Sequence, residues 1–261
     1  MRPGRTTIES MRPGRILELL DPFLSPCPEP SRTEPAALSA TQLSQISTYI
    51  DLLLRWNARI NLTAIRTEEE IVTRHFGESL FAARHLFSPA PYPVSSSVPP
   101  VLKGFEVGVE VGVEVAVDLA RQSPIRVADL GSGAGFPGIP LKLWSPNIKL
   151  TLIESNQKKA TFLREVVRTL TLTDIDIQNT RAETIPHTYD VVILRAVDLF
   201  STILPTAARL TAPSGCLALL IAHSQLATAR QALSSFAFSA PLQVPQSDSR
   251  LLVIATREPS K

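Results

Sequence analysis

The sequence predicts an α/β protein in which a Rossmann-like, mostly parallel sheet of seven strands follows an N-terminal helical subdomain. Short apolar segments alternate with helical segments over residues 124–261, an alternation typical of a parallel sheet with crossover helices. A glycine-rich turn follows the first of these apolar segments, at residues 131–138. Open α/β sheets bind ligands beyond the carboxyl ends of their strands, so this turn marks the expected site.

Length and composition allow one sizeable core and a small appended unit. The chain has 261 residues, of which 44% are hydrophobic, and its formal charge is only +2, so any surface for nucleic acid must be local. Cys27 and Cys216 cannot form a disulfide framework, and the four histidines lack metal-ligand spacing. No apolar run approaches the length of a membrane helix. We therefore expect a reduced, metal-free, cytoplasmic protein with no membrane partner, and a monomer.

Residues 1–35 are predicted to form a disordered leader. The pentapeptide Met-Arg-Pro-Gly-Arg occurs at residues 1–5 and again at 11–15, which leaves the start open between Met1 and Met11. Five prolines between residues 21 and 35 oppose a continuous helix. The apolar segment after the second pentapeptide is too short and too charged for a signal peptide. We expect the leader to be dispensable for activity.

Residues 36–88 are predicted to form the helical subdomain. Ser39 with Gln42, and Thr67 with Glu70, fit capping boxes that begin two helices. Apolar residues recur at helical spacing after each box and indicate buried stripes: Leu43, Ile46, Ile50, Leu53 and Leu54, then Ile71, Val72, Phe76 and Leu80. A lid over the sheet explains these stripes. A lid does not by itself explain four polar residues, which are either ordinary caps and core polar groups or contacts to a ligand: Asn57, Asn61, Arg74 and His75.

Residues 89–123 differ in composition from both neighbours and are predicted to be an insertion. Five prolines crowd residues 89–100, and the unit Glu-Val-Gly-Val then repeats from Glu106. The alternating Val residues fit a β-ribbon, whereas the low complexity fits an irregular loop equally well. Both interpretations stay open.

Residues 124–261 are predicted to form the sheet domain. Apolar segments predict five strands and a closing pair: near 125–130, 149–153, 174–178, 189–194 and 214–222, then from about 236 and from about 250. Helices occupy the intervening segments. Asp129, Gly131, Glu154 and Arg195 lie at the carboxyl ends of predicted strands, so we expect them to meet at one cleft.

The segment from Asp129 to Gly138 is a candidate cofactor loop. Gly131, Gly133 and Gly135 stand at alternate positions, where they let the backbone turn tightly and approach a ligand. The helix that follows would direct free N–H groups at that ligand. Gly133-x-Gly135-x-x-Gly138 also satisfies the dinucleotide fingerprint, which is weak by itself. An NAD-type site and a glycine-rich turn without a ligand are therefore two interpretations of this loop.

The fuller pattern Asp129-x-Gly131-x-Gly133-x-Gly135 resembles motif I of S-adenosylmethionine-dependent methyltransferases. The flanking segments more narrowly resemble the RsmG (GidB) family of 16S ribosomal RNA guanine-N7 methyltransferases. This resemblance implies the class I methyltransferase fold, S-adenosylmethionine as cofactor, and methylation of guanine 527 in the 530 loop of the small ribosomal subunit. Four separated segments carry it: Trp56–Ile65, Arg74–Leu80, Asp129–Pro140, and Arg181–Glu183 with Leu194–Ala196.

Site roles follow from the resemblance and from position. Asp129 is expected to orient the cofactor loop or a water, and Glu154 to accept the ribose hydroxyls, with the first turn of the next helix as its alternative place. His75 and Arg195 are candidates for positioning residues. The resemblance implies cofactor contacts at Gly131, Phe136, Ala182, Glu183 and Arg195, and Gly133 and Gly135 complete the loop. The candidates for substrate binding are Asn61, Arg74, His75, Lys158 and Lys159.

Arg195 interrupts an apolar strand, where an unpaired guanidinium is costly. We expect its partner to be the cofactor carboxylate, Glu183 or an RNA phosphate, because these acceptors match a planar donor. The alternative is an exposed charge at the end of the strand.

The chemistry of guanine N7 agrees with this resemblance. N7 has a lone pair and no proton, so positioning suffices and no general base is assigned. Methylation at C5 of a pyrimidine would need a cysteine in the cleft, and methylation of an exocyclic amine usually comes with an Asn/Asp-Pro-Pro-aromatic tetrapeptide that is absent after Leu194. One departure follows the fifth strand, where the family commonly has a Lys followed by a Gly and this chain has Ile221-Ala222-His223-Ser224. Another RNA or small-molecule substrate, or a non-catalytic cofactor- or RNA-binding protein, is therefore an alternative.

Overall fold

The computed structural model describes residues 11–25, 38–87, 123–195 and 200–257, and its centre is one mixed sheet. The strands are β1 Arg126–Leu130, β2 Lys149–Ile153, β3 Ile175–Gln178, β4 Tyr189–Arg195, β5 Thr211–Ala222, β6 Phe236–Phe238, β7 Leu242–Gln243 and β8 Arg250–Arg257. They are ordered β3-β2-β1-β4-β5-β8-β6, and β7 pairs with β8. Strands β1 to β5 are parallel, and β8 joins β5 antiparallel. The predicted Rossmann-like α/β fold is confirmed.

Two details of the sheet differ from the prediction. The two-residue β7 brings the number of strands in the described residues to eight instead of seven. Strand β5 begins at Thr211, three residues before the predicted start at residue 214. Its register against β4 shifts between Tyr189 and Val191, and Ser214 has a φ of 62°. This irregularity explains why the predicted start is too late, because the turn-forming residues around Ser214 lie inside the strand.

Helices cover both faces of the sheet, because alternate strand residues point to opposite sides. Val127, Leu150 and Val191 belong to a core shared with helices near the amino terminus and with the helices Gly138–Trp144 and Gln157–Thr169. Ala128 and Val192 belong to the opposite core, shared with the helices Phe200–Leu210 and Leu226–Ala232. The helices are α1 Pro13–Leu24, α2 Ala40–Ile60, α3 Glu68–Glu70, a π-helix Ile71–Gly77, α4 Glu78–Phe87, α5 Gly138–Trp144, α6 Gln157–Thr169, α7 Phe200–Leu210 and α8 Leu226–Ala232.

The prediction of a disordered leader is wrong for the described part of residues 1–35. Helix α1 occupies Pro13–Leu24 and buries one face. Its first proline lies at the start of the helix, where a missing N–H costs little, although Pro22 lies inside it. The buried residues have helical spacing and outweigh that cost: Ile16, Leu20, Phe23 and Leu24. Residues 1–10 and 26–35 of the predicted leader lie outside the described ranges.

Helix α1 packs where Gly77 ends the π-helix. A Cβ built on Gly77 would lie 2.6 Å from Cε2 of Phe23, a distance that real Cβ atoms essentially never show. The glycine that weakens the helix interior is therefore what lets the Phe23 ring approach the backbone. The predicted helix caps are present at Ser39 and Thr67. The side-chain hydroxyl of each accepts a hydrogen bond from the backbone N–H of the residue three positions later.

The predicted insertion, residues 89–123, lies outside the described ranges except for its last residue, and Cys27 also lies outside. Within the ranges that are described, no helix is long and apolar enough to cross a membrane. The same ranges contain no group of three or more His, Cys, Asp or Glu residues able to hold a metal ion.

Candidate functional site

The glycine loop leaves the carboxyl end of β1 and turns into α5. Gly131, Gly133 and Gly135 have φ angles of 70°, 56° and 86°, in the left-handed region that favours glycine. The N–H of Gly131 donates to the carbonyl of Ile153 at 2.9 Å, which ties the loop to the end of β2. The three alternate glycines therefore each have a left-handed backbone conformation, in the loop at the point where the strand order of the sheet reverses.

The loop glycines have different surroundings. A Cβ on Gly133 would meet only the carbonyl oxygen of Gly131, at 3.7 Å. A Cβ on Gly135 would strike the hydroxyl of Tyr49 and the side chain of Ile139. Gly133 thus leaves room for a ligand to approach the backbone, whereas Gly135 is required by packing within the protein.

Asp129 lies beneath this loop and is 1% exposed. Its Oδ2 accepts from the N–H of Gly138 at 3.0 Å, at the start of α5, while Oδ1 is buried without a partner among the described residues. Desolvation raises the pKa of Asp129 to about 7, although the hydrogen bond from Gly138 lowers it. A buried acceptor without a partner is costly, so Oδ1 is suited to a donor that a ligand or a water brings.

Glu154 follows β2 and holds the loop from the other side. Its Oε2 accepts from the N–H of Gly133 at 2.9 Å, and its Oε1 from that of Asn156 at 2.7 Å. Helix α6 begins at Gln157 with Asn156 as its N-cap, so Glu154 does not lie in the first turn. The alternative prediction, that Glu154 lies in the first turn of the next helix, is therefore wrong. Each carboxylate oxygen keeps a further acceptor direction for a hydroxyl.

An aromatic stack joins the loop to the helical subdomain. The Phe136 ring lies between Tyr49 and His75, with centroids 5.2 and 4.6 Å away and planes tilted by 4° and 18°. Phe136 is only 5% exposed, because its side chain packs against residues of the helical subdomain. The hydroxyl of Tyr49 donates to the carbonyl of Ala134. Tyr49 was not predicted as a site residue, and its position beside the apolar stripe of α2 is the one signal that the sequence offers.

His75 is a buried, neutral imidazole at the edge of this stack. Arg195 can only donate, and its Nη2 lies 3.2 Å from Nδ1 of His75, so Nδ1 is the acceptor nitrogen. The proton is then on Nε2, which donates to Oγ1 of Thr63 at 2.8 Å. Desolvation, with the positive charge of Arg195, lowers the pKa of His75 to about 3. Both ring nitrogens are engaged, so His75 cannot act as a free base.

Arg195 ends β4, and its side chain is 9% exposed. Its Nη2 lies 3.0 Å and its Nε 3.1 Å from Oε2 of Glu78, which is also buried. Nη2 also donates to the carbonyl of Arg74 at 2.5 Å. Of the three expected partners, Glu183 is not one among the described contacts, and the carboxylate that pairs with Arg195 is Glu78 on α4. The alternative of an exposed strand-end charge is also wrong.

Ala182 and Glu183 form a short 3₁₀ turn after β3. Arg209 on α7 holds this turn by donating to three carbonyl groups, those of Ile185 at 2.8 Å and of Ala182 and Glu183 at 3.1 Å. The backbone of the turn is therefore fixed from α7. Arg209 is a second site residue that was not predicted, since nothing in its helix distinguishes it from a surface charge.

The five residues predicted to bind substrate lie on different elements of the structure. Asn61 caps the end of α2 with a φ of 52° and accepts from Arg66, and Arg74 is exposed on the π-helix. Lys158 and Lys159 lie in the first turn of α6, capped by Asn156. Two further polar residues have structural partners, because Asn57 donates to the carbonyls of Thr63 and Ile65, and His223 lies 3.0 Å from Gln243.

Comparison with known proteins identifies the family. The family model for rRNA small subunit methyltransferase G (GidB) matches residues 42–90 and 113–252. Ribosomal RNA small subunit methyltransferase G of Chloroflexus aggregans is 32% identical over 237 residues, which cover 84% of each chain. Its counterpart from Xylella fastidiosa is 37% identical over 171 residues, 65% of this chain and 64% of the relative. The resemblance seen in the sequence is confirmed, and the chain belongs to the rRNA small subunit methyltransferase G family.

Proposed function

We propose that this chain transfers a methyl group from S-adenosylmethionine to N7 of a guanine in 16S ribosomal RNA of the small subunit, as a cytoplasmic monomer. The observation that carries the proposal is the loop open at Gly133, between the buried carboxylates of Asp129 and Glu154. The family to which the chain belongs supports the RNA substrate.

The residues present fit S-adenosylmethionine. Glu154 would accept the ribose hydroxyls through the free acceptor directions of its two oxygens. Oδ1 of Asp129, buried without a partner among the described residues, would face the ammonium group directly or through a water. The turn at Ala182 and Glu183, held by Arg209, would contact the adenine. When bound, the cofactor supplies an electrophilic sulfonium methyl group.

The site suits a nucleophile that carries no proton. His75 has no free nitrogen to accept one, because Arg195 and Thr63 occupy both. Cys216 pairs with Val191, which is four residues before Arg195 on β4. At about 3.3 Å per residue, Cys216 therefore lies about 13 Å along the strand from the carboxyl end of β4. These contacts disfavour His75 as a base and Cys216 as a nucleophile. Guanine N7 needs neither, since orientation of its lone pair suffices.

The charge of the product is also accommodated. Methylation at N7 turns a neutral guanine into a cation, which a nearby free guanidinium would oppose. The charge of Arg195 is balanced by Glu78 at 3.0 Å, and its donors are directed at Glu78 and the Arg74 carbonyl. Arg195 therefore shapes the edge of the cleft without presenting an unbalanced charge to the base.

Mapping N7-methylguanine in 16S ribosomal RNA tests the proposal. RNA from cells with and without the gene is reduced and cleaved at N7-methylguanine, and purified protein is then added to subunits from the deletion strain. We expect one cleavage site that disappears in the deletion strain and returns on incubation with S-adenosylmethionine. Identical cleavage patterns in both strains, or methylation at another atom, would overturn the proposal.

Glu154→Ala tests the cofactor site separately. We expect affinity for S-adenosylmethionine to fall by about 1–3 kcal/mol, since ribose hydroxyls lose a charged acceptor. Calorimetry measures this change, with Glu165→Ala on α6 as the matched control. Unchanged affinity in Glu154→Ala, or tight binding of NAD by the wild type, would contradict the assignment.

A further inference from the structure

A pocket of about 300 Å³ lies near the carboxyl end of β5, and the proposed cofactor site does not use it. Its walls come from α1, from the π-helix with the start of α4, and from the loop between β7 and β8. The residues that matter for its chemistry are Arg74, Glu78, Ser247, Asp248 and Arg250. The volume is at the lower end of the range for small-ligand sites and fits a nucleotide-sized group.

Two arginines in this pocket have no partner among the described residues. Arg74 is exposed and Arg250 is half-buried, and neither guanidinium makes a hydrogen bond or ion pair there. Arg250 also adds to the positive potential at Arg195. Of the two acidic residues in the wall, Glu78 is neutralised by Arg195, and Asp248 is exposed on the loop. The pocket therefore carries a net positive charge with free planar donors, which suits an oxyanion.

The place of the pocket favours substrate over cofactor. Arg250 pairs with Ala222 at the carboxyl end of β5, so the pocket is at the same edge of the sheet as the glycine loop. Strands β4 and β5 separate β8 from β1. Three spacings of about 4.8 Å place it about 14 Å from the end of β1. Arg195 ends β4, between the glycine loop and the pocket, and its partner Glu78 lies in the pocket wall.

We propose that Arg74 and Arg250 bind a backbone phosphate of the RNA substrate in this pocket and so set the position of the target nucleotide. This inference rests on the proposed function for the identity of the RNA. Guanidinium groups match phosphate with two parallel hydrogen bonds, and the hydroxyl of Ser247 lies in the same wall as a further donor. Such a local anchor does not require a large net charge on the whole chain.

Binding of small-subunit RNA from a strain that lacks the gene, measured at several salt concentrations, tests Arg74→Gln, Arg250→Gln and the two corresponding lysine variants. We expect each glutamine variant to bind about tenfold more weakly, which corresponds to about 1.4 kcal/mol. The slope of log affinity against log salt should become shallower by about 0.7–0.9 for each phosphate that is no longer neutralised. The lysine variants should keep the slope and bind less tightly than the wild type, since lysine keeps the charge without the fork.

Two comparisons separate this inference from its alternatives. Arg126→Gln removes the same charge at the opposite edge of the sheet and should leave RNA affinity unchanged. Affinity for S-adenosylmethionine should be unchanged in all variants. Unaltered RNA affinity in the Arg74 and Arg250 variants, or weaker binding of S-adenosylmethionine alone, would overturn the phosphate site. If wild type binds the RNA with this dependence but transfers no methyl group to it, the proposed function fails while the phosphate site stands.

Discussion

The buried ion pair between Glu78 and Arg195 gives the sharpest stability prediction. Side-chain exposure is 5% for Glu78 and 9% for Arg195, so neither charge can be hydrated when its partner is removed. Removing one member of a buried pair typically costs about 3–5 kcal/mol. Glu78→Gln keeps an oxygen that can accept from Nε, and Arg195 keeps the Arg74 carbonyl. We therefore expect Glu78→Gln to lower the free energy of unfolding by about 2–3 kcal/mol.

Urea denaturation measures this destabilisation, and Glu69→Gln is the matched control. Glu69 pairs with Arg15 at 2.7 Å, a shorter distance than the 3.0 Å between Glu78 and Arg195, but both members are exposed. If distance decided the strength, the control would lose more stability; if burial decides it, the control should stay at the wild-type midpoint. The double variant Glu78→Gln/Arg195→Gln should recover part of the stability, because no charge remains buried. A wild-type midpoint for Glu78→Gln, or a larger destabilisation in Glu69→Gln, would refute this reasoning.

Three further predictions concern the loop, helix α1 and pH. Gly133→Ala should weaken binding of S-adenosylmethionine measured by calorimetry, whereas Gly135→Ala should mainly lower the melting temperature; the reverse pattern would contradict the assignment of free space. Gly77→Ala should displace Phe23 and lower the free energy of unfolding by about 1–3 kcal/mol, with an unchanged urea midpoint as the contrary result. Asp129, whose pKa is about 7 and thus above its unfolded value, contributes stability at low pH that is lost as pH rises towards 7. Its ionised form should bind the cofactor ammonium, so affinity should rise from pH 6 to 8 in wild type and not in Asp129→Asn.

The parts of the fold and site that could be predicted from the sequence are those governed by local rules. Strands follow from apolar runs, the capping boxes from two residues three positions apart, and the loop from glycines whose positive φ angles other residues resist. The turn at Gly131 and the placement of Asp129 and Glu154 beside it depend only on where β1 and β2 end. The family resemblance added the chemistry of the RNA, which no local rule contains.

The parts that could not be predicted depend on contacts between distant segments. Glu78 and Arg195 are 117 positions apart, and Tyr49 and Ala134 are 85 apart, so neither pair leaves a signal in one sequence. Helix α1 is a different case. The helical spacing of Ile16 and Leu20 is visible in the sequence, and of the prolines that suggested disorder only Pro22 lies within the helix. The others follow Leu24, so they limit where the helix ends and do not prevent it from forming.

The helical subdomain is part of the site and not only a lid. Tyr49 holds the glycine loop at Ala134, His75 stacks on Phe136, and Glu78 neutralises Arg195 at the end of β4. Helices and sheet also share one continuous core on that face. A sheet domain expressed without residues 11–87 would expose the Phe136 ring and leave the guanidinium without its carboxylate. We therefore expect cofactor binding to depend on side chains that the sequence places before the glycine loop begins.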